Sequence, residues 1–181
     1  MDVFIEYMVK KKPTGTEFLL KIVYVLLAAV ILVGSFFLSP LLGAFSMIAT
    51  LIGFGAVFGA YYLITSMSVE YEYILTNGEM DVDKIIARRR RKRMLTANAR
   101  KFEEFGSYNH QAMSQKAFAN RVYACTAPED PGNFYAVFNH ATLGQTLLVF
   151  TPNDKVLDGL RSFIPRKAGG NAVYGNRPGQ D

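Results

Sequence analysis

The stretch "VEYEYILTNGEMDVDKIIARRRRKRML", Val69–Leu95, joins two alternating runs through an Asn-Gly dipeptide and contains six consecutive basic residues. Asn77-Gly78 predicts a two-residue hairpin turn, because both turn positions need positive φ. The register of such a hairpin gathers apolar residues on one face: Tyr73 opposite Val82, and Leu75 opposite Met80. Acidic residues occupy the other face, so the stretch predicts a half-buried antiparallel pair.

Two apolar segments precede this hairpin, Phe18–Leu38 and Leu41–Ile64. As helices they would be about 32 and 36 Å long, and a bilayer core is about 30 Å thick. One helix bent at Pro40 would be about 70 Å long, more than twice that thickness, so the chain is expected to turn at Ser39-Pro40. The sequence therefore predicts a transmembrane helical hairpin within residues 17–66.

Basic residues flank both segments, whereas the turn between them is uncharged: Lys10–Lys12 precede the first and Arg88–Arg93 follow the second. The positive-inside rule then places both termini in the cytoplasm, which predicts a multi-pass protein of the cytoplasmic membrane. A cleaved signal peptide is the alternative for the first segment, but that segment exceeds the usual apolar length of about 7–15 residues.

Small residues recur four positions apart in the second apolar segment: Ala49 with Gly53, and Gly55 with Gly59. This spacing lets helix backbones approach closely. We expect the small residues to pack against the first segment, and contact with another copy of the chain is the alternative.

After Ser68 the chain changes to short strands and one helix. Asn109–Asn120 is either a loop or a single helical turn, residues 1–16 are expected to be a cytoplasmic N-terminal segment, and residues 166–181 lack periodicity and are predicted to be disordered. Five strands are predicted to follow the first hairpin, which makes seven in all: Arg90–Leu95, Phe102–Tyr108, Arg121–Ala127, Phe134–His140 and Gln145–Thr151.

The last element is predicted as an amphipathic helix. Thr151 is expected to be its N-cap, with Pro152 at the first helical position and Asp154 closing a capping box. Its apolar stripe consists of Val156, Leu157, Leu160, Phe163 and Ile164. Seven antiparallel strands closed by such a helix fit a small barrel or an orthogonal sandwich.

The order of these elements resembles that of bacterial pleckstrin-homology-like (PH-like) membrane proteins, in which a transmembrane hairpin precedes the domain. The resemblance is carried by the two apolar segments, "EYILTNGEMDVDKI", "RKRML" with "KFEEF", and "NDKVLDGLRSFI". It implies an α+β membrane protein with a PH-like domain at residues 68–165. It also implies membrane association with self-assembly or protein-partner binding, and no particular biochemical activity.

Eukaryotic PH domains bind lipid headgroups through basic residues in the first two strands and the loop between them. Here that loop is expected to be Asn77-Gly78, flanked by acids: Glu72, Glu79, Asp81 and Asp83. The comparison argues against inositol-phosphate recognition of that kind.

The basic run either docks on the membrane surface or forms a solvated, ion-paired strand face, and both interpretations stay open. Its first half, Arg88, Arg89 and Arg90, is expected at the corner next to the membrane, where it would contact the anionic inner leaflet. Its second half, Arg91, Lys92 and Arg93, is expected to form a charge ladder with Asp81 and Asp83 across the strands. A solvated or ion-paired strand face is the alternative to membrane docking. Nucleic-acid binding is not favoured, because the net charge of +5 is not spread over a wide basic face.

Motifs for catalysis are not found in the sequence. His110 and His140 are not at metal-ligand spacing, Glu103 and Glu104 point to opposite faces of a strand, and Cys125 is expected to be a small buried hydrophobe. We expect a non-enzymatic protein with no metal, no cofactor and no small-molecule substrate.

Two functional hypotheses follow. The first is a membrane-anchored PH-like interaction or scaffold module at the inner leaflet, which binds protein partners or further copies of itself. The alternative is a small regulatory subunit of a membrane transport or envelope complex. Apart from Lys21, the apolar segments hold no ionisable residue, which favours the first hypothesis because a transport path usually needs some.

Overall fold

The structure is a computed structural model, and it describes residues 3–169 of the 181-residue chain. Two compact units are present: the described residues up to Lys12 together with those from Glu70 onward, and Pro13–Val69. The first unit holds the β-sheets and the second holds the long apolar helices. The sheet unit is therefore discontinuous in sequence, because the helical unit is inserted after its first strand.

The strands of this part of the chain are β1 (Phe4–Lys10), β2 (Val69–Thr76), β3 (Glu79–Ile86), β4 (Arg90–Asn98), β5 (Phe102–Ser107), β6 (Asn120–Ala124), β7 (Phe134–His140) and β8 (Gly144–Phe150). The α-helices are α1 (Gly15–Leu38), α2 (Ser46–Ser66), α3 (His110–Ser114) and α4 (Asp154–Arg161). Short 3-10 segments lie at Ser39–Phe45, Ala99–Lys101 and Arg166–Ala168.

Two four-stranded sheets are formed, with strand orders β1-β2-β3-β4 and β5-β7-β8-β6. The turn from β2 to β3 is the one predicted, since Asn77 and Gly78 have φ of 48° and 90°. The four residues predicted to face inward in this hairpin are fully buried: Tyr73, Leu75, Met80 and Val82. The α+β class expected from the sequence is therefore observed.

The first strand, β1, was not predicted. Residues 1–16 were expected to lie outside the domain, but Phe4–Lys10 pairs antiparallel with β2 along its whole length, from Phe4↔Thr76 to Lys10↔Glu70. Its sequence FIEYMVK alternates, and the inward Tyr7 ring lies 6.2 Å from the Tyr73 ring. The described sheets thus contain eight strands rather than seven, and the domain boundary at residue 68 is wrong at its N-terminal side.

One strand pairing also differs from the expected antiparallel arrangement, because β6 runs parallel to β8. The reason is the path of the preceding connection. It leaves β5 at one edge of the second sheet, covers the outer face of that sheet, and reaches the opposite edge. The covering buries an apolar cluster that includes Tyr108, Met113, Cys125, Val137 and Leu147. Within it, α3 is the helical turn left open by the sequence.

Helix α4 packs its apolar stripe onto the sheets, with Val156 and Leu160 fully buried. Its N-cap is Asn153, whose side chain accepts a hydrogen bond from the Val156 N–H, so the prediction of Thr151 was wrong. The hydroxyl of Thr151 is already engaged, because it donates to Asn133 Oδ1 at 2.7 Å and accepts from the Thr126 N–H at 3.1 Å.

The segment after α4 is ordered further than expected. Arg166–Ala168 form a 3-10 turn with Ala168 buried, and Gly169 lies against the carbonyl oxygen of Phe105 in β5. The prediction of disorder from residue 166 was therefore wrong for 166–169, and its remainder lies outside the described residues. The sheet unit accordingly extends beyond residue 165.

The helical unit contains one apolar helical region, Gly15–Ser66, that is long and apolar enough to cross a membrane. The 3-10 segment Ser39–Phe45 divides it into α1 and α2, and Gly43 has φ of 52° there. Side chains of Leu32 and Ser35 in α1 lie against Gly53 of α2. Most other apolar side chains of both helices are exposed in the structure.

Candidate functional site

The basic run begins in the turn between β3 and β4. Ala87 and Arg88 have φ of 54° and 56°, and each left-handed non-glycine residue costs about 1 kcal/mol or more. The Arg88 Nε donates to Glu70 Oε1 of β2 at 3.1 Å. This contact fixes the first basic residue to the sheet, although it was expected to be free for lipid.

The outer face of the first sheet carries a layer of carboxylates and arginines. Glu70, Glu72 and Asp83 are buried there, whereas the arginine heads that pair with them are about half exposed or more. Arg91 Nη2 lies 2.5 Å from Glu72 Oε2 and its Nε lies 3.9 Å from Asp83 Oδ2. Removing one partner of such a pair leaves a buried charge uncompensated, which costs about 3–5 kcal/mol in fully buried examples.

Arg93 bridges two acids of β3, with Nη1 at 2.8 Å from Asp81 Oδ2 and Nε at 2.9 Å from Asp83 Oδ1. The strand register explains this, since Asp83 is directly opposite Arg93 and Lys84 is opposite Lys92. A β-bulge follows at Val82/Asp83. The structure therefore brings Asp81, Asp83, Arg91 and Arg93 of the expected charge ladder together and leaves Lys92 on the other face.

Glu72 is the most constrained of these acids, with only 1% of its surface exposed. Its Oε2 accepts no well-directed hydrogen bond within residues 3–169, despite the close Arg91 head. Burial raises the pKa of Glu72 above its ordinary value, Arg91 opposes this, and a hydrogen bond shared with Glu6 and the charges of Glu6 and Asp83 raise the pKa further. A second carboxyl, on β1, therefore acts on the same face.

Three basic side chains of the run form no ion pair in the part of the chain that is described: Arg89, Arg90 and Lys92, all exposed. The end of the sheet that carries Arg89 and Arg90 also carries the end of β1, because Ile86 pairs with Arg90 and Lys10 pairs with Glu70. This sheet end is therefore rich in positive charge. The chain also leaves the sheet unit for α1, and returns from α2, at this end.

A corner missed from the sequence joins β1 to the second sheet. The Lys12 N–H donates to the Thr126 carbonyl at 2.7 Å, and Lys12 Nζ donates to Asp130 Oδ2 at 2.9 Å. The Lys12 ammonium, the Thr126 hydroxyl and the Gly132 N–H lower the pKa of the Asp130 carboxyl. The alternation of apolar and polar residues in FIEYMVK is the sequence signal that could have predicted β1. Lys12 was considered only as a positive charge that orients the membrane segments.

The small residues of α2 fall into two groups. Ala49 and Gly53 are buried, and a Cβ on Gly53 would collide with Ser35 and contact Leu32 of α1. A Cβ on Gly55 or Gly59 would meet no described atom within 4 Å beyond its chain neighbours and the backbone of its own helix. The structure therefore places Ala49 and Gly53 at the contact with α1, and leaves Gly55 and Gly59 away from it.

The cysteine and one of the two histidines considered from the sequence have defined surroundings in this structure. Cys125 is buried, and burial raises the pKa of its thiol to about 11, so it is protonated near neutral pH. His140 Nδ1 accepts from the N–H groups of Thr142 and Leu143, which fixes its ring in a turn. Within residues 3–169, no group of three or more His, Cys, Asp or Glu residues is placed to hold a metal ion.

A family model described as "Bacterial PH-like domain (DUF6106)" matches residues 1–169, which include β1, both apolar helices and α4. The chain belongs to this family. Its description names a fold and no activity. No curated protein and no solved structure matches the chain.

Membership in the bacterial PH-like family changes one comparison made from the sequence. Because β1 is Phe4–Lys10, the connection between the first two strands is residues 11–68, and Asn77-Gly78 is the second turn. The acidic residues around Asn77-Gly78 therefore say nothing about headgroup recognition at the first connection. The true first connection begins with Lys11 and Lys12 and contains the apolar helical region.

Proposed function

We propose that this PH-like protein is a membrane-anchored, non-catalytic interaction or scaffold module at the inner leaflet of the cytoplasmic membrane. In this proposal α1 and α2 each cross the bilayer, and the sheet unit and both termini lie in the cytoplasm. The sheet unit then presents a surface to protein partners or to further copies of the chain.

The pairing of β1 with β2 is the observation that carries the proposal. Lys10 is opposite Glu70, so the chain leaves and rejoins one sheet at neighbouring positions. If Gly15–Ser66 crossed a membrane once, β1 and β2 would be on opposite sides and unable to pair. A membrane-spanning role for this region therefore requires an even number of crossings.

Two crossings fit the helices better than one long span. The 24 residues of α1 and the 21 of α2 correspond to about 36 and 32 Å, close to the bilayer core. Ser35 and Gly53 lie in contact, whereas a continuous helix would separate them by about 27 Å. The exposed apolar side chains of both helices would face lipid, which removes the cost of leaving them in water.

Positive charge supports the orientation. Lys10–Lys12 and Arg88–Arg93 flank the apolar region on the side of the sheet unit, as the positive-inside rule requires of a cytoplasmic domain. Arg89 and Arg90, which are not engaged by described carboxylates, are the residues proposed to contact anionic headgroups, at about 1 kcal/mol each. Arg88, Arg91 and Arg93 hold acids of the sheet instead.

Cysteine labelling in intact cells tests the topology. Cys125 is buried with a raised pKa, so the wild-type chain is a nearly silent background for a membrane-impermeant maleimide. We expect labelling of Ala44→Cys, in the segment between the helices, before permeabilisation, and of Lys101→Cys, in the sheet unit, only afterwards. Labelling of Lys101→Cys in sealed cells would refute the inner-leaflet proposal.

A regulatory subunit of a membrane transport or envelope complex remains the second candidate, and one observation favours it. Gly55 and Gly59 leave a small-residue face of α2 open, which suits contact with a further helix. Replacing residues 15–66 by an unrelated helical hairpin distinguishes the two roles. Unchanged crosslinked partners in native membranes would support the anchor role, and their loss would support the subunit role.

A further inference from the structure

Strand β1 forms an edge of the first sheet, since its only strand partner in residues 3–169 is β2. Its inward residues Ile5 and Val9 belong to the body of the domain, and Ile5 lies against Gly159 of α4. The strand is thus paired with β2 along one edge, and no other described strand pairs with its opposite edge.

The hydrogen-bond pattern identifies which backbone groups point away from β2. Asn77 N–H donates to the Val3 carbonyl at 3.0 Å, so Val3 faces Asn77 as a hydrogen-bonded pair. The direction of the backbone N–H and C=O groups alternates along an antiparallel strand, so those of Ile5, Tyr7 and Val9 also point toward β2. The backbone groups of the even-numbered residues point to the free edge. Lys12 agrees with this, because its N–H leaves the strand on that side to reach Thr126.

Four successive edge positions are Phe4, Glu6, Met8 and Lys10. Their backbone N–H and C=O groups have no hydrogen-bond partner among the described residues. Phe4 and Met8 are large apolar side chains that are 67% and 48% exposed. A row of unpaired backbone groups beside exposed apolar side chains is a ready template for another strand.

Negative charge lies beside the middle of this edge, at Glu6, whereas Lys10 places positive charge at its end. Glu6 is opposite Ile74 and the buried Glu72 is opposite Met8, so the two carboxyls are diagonal neighbours on the same face of the sheet. The raised pKa of Glu72 agrees with this proximity. Arg91 reaches Glu72 from the far side of the sheet, on β4. A cation arriving beside Glu6 from the open edge would therefore be favoured electrostatically.

We propose that the free edge of β1 binds an extended segment of a partner protein, which adds a strand to the first sheet. The segment would alternate apolar side chains against Phe4 and Met8 and would place a Lys or Arg beside Glu6. This inference deepens the proposed interaction role, and it rests on that role only for its biological setting. It names the surface and the chemistry of the partner.

Amide exchange with defined peptides tests the proposal on the full chain in detergent micelles. The probe is an eight-residue capped peptide of alternating Val and Thr with one central Lys, and the comparison peptide has Glu in place of Lys. At saturating Lys peptide we expect the amides of Phe4, Glu6, Met8 and Lys10 to exchange at least about 10-fold more slowly. The amides of Ile5, Tyr7 and Val9, which already bond to β2, should change less than about twofold.

Two variants identify the edge. Glu6→Lys should reverse the peptide preference, which we expect to be about threefold for one cross-strand ion pair. Glu103→Lys makes the same charge change on β5 and should leave the preference unaltered. Met8→Pro removes an outward N–H without removing a β1–β2 bond, and should weaken binding about 10-fold.

The outcomes are separable. Failure of both peptides to slow the even-numbered amides, or equal effects of Glu6→Lys and Glu103→Lys, would overturn the edge proposal. Protection of those amides without peptide, in a dimer detected by sedimentation, would assign the edge to a second copy instead and also overturn it. None of these results depends on membrane topology, so cysteine labelling in cells tests the anchoring proposal independently.

Discussion

The two edges of the first sheet, β1 and β4, are built in opposite ways. Strand β4 begins with Arg90–Arg93 and is bent by a bulge opposite Val82/Asp83, and both devices discourage pairing with another strand. Strand β1 presents Phe4 and Met8 to solvent and has no bulge in its register with β2. One edge is thus protected by charge, and the other is open.

The comparison also shows what the basic run does. Alternate residues of β4 extend their guanidinium groups across the outer face of the sheet, where Arg91 and Arg93 neutralise buried carboxylates. Charge that protects the edge therefore also holds the outer face of the sheet together. On β1 the same face carries Glu6, which adds a further negative charge beside the buried carboxylate of Glu72.

Loss of Arg91 should have the largest effect on stability. Arg91→Met leaves the buried Glu72 without its cation, and we expect the free energy of unfolding to fall by about 3 kcal/mol. The matched control is Lys92→Gln, one residue along β4, where a change within about 0.5 kcal/mol is expected. Urea unfolding in micelles, followed by tyrosine fluorescence, measures both. Equal losses would mean that the Arg91–Glu72 pair is not what stabilises this edge.

Gly159 tests how firmly the inner side of β1 is held. A Cβ at this position would lie 2.5 Å from Ile5 Cδ1 and 2.8 Å from Leu75 Cδ2. Gly159→Ala gains about 1 kcal/mol of helix propensity but loses about 1–3 kcal/mol to overpacking, so a net loss of about 1 kcal/mol is expected. Ile5→Val in the same background should recover part of it. Independent, additive effects would contradict a direct contact between α4 and β1.

The pH dependence of stability should report on Glu72. Its folded-state pKa is raised above the ordinary glutamate value of 4.5, so the folded state binds the proton more tightly than the unfolded state. Its contribution is therefore fully present below pH 4.5 and is lost as pH rises through the folded pKa. Glu72→Gln should remove this fall, which is at most about 1.4 kcal/mol per pH unit. An unchanged difference between variant and wild type from pH 4 to 7 would contradict it.

Transferring the charge of β4 to β1 should change association and leave folding intact. Met8→Lys is on the exposed outer face, so the free energy of unfolding should move by no more than about 0.5 kcal/mol. Binding of the Lys-containing peptide should nevertheless weaken, because a cation then occupies the edge that attracts one. Met94→Lys on β4 is the matched control and should leave peptide binding as it was.

The elements with local signals were predictable from the sequence. Asn77-Gly78 determines a turn within four residues, and the inward faces of β2 and β3 follow from it by alternation. The pairs of Arg91 and Arg93 with Asp81 and Asp83 depend on the register of the next hairpin, in which β4 follows β3 after only three residues. These turns and registers are determined by residues that are close in sequence.

The elements that were missed depend on distant partners. Strand β1 has its partner 58 residues later, beyond the apolar region, and a seven-residue strand alone has no stability to signal. Thr151 does not cap α4, because its hydroxyl donates instead to Asn133, a distant residue that no local pattern identifies as its partner. The parallel direction of β6 follows from the buried cluster under its connection, which includes Tyr108 and Met113.

The insertion of the helical unit between β1 and β2 has a consequence for synthesis on the ribosome. The strand Phe4–Lys10 emerges first, but its partner is not translated until the 58 intervening residues have been made, about 3–12 s later at usual elongation rates. During that interval both edges of the nascent strand are unsatisfied. The first sheet can therefore be completed only after the apolar region has been synthesised, because β2 follows that region in the chain.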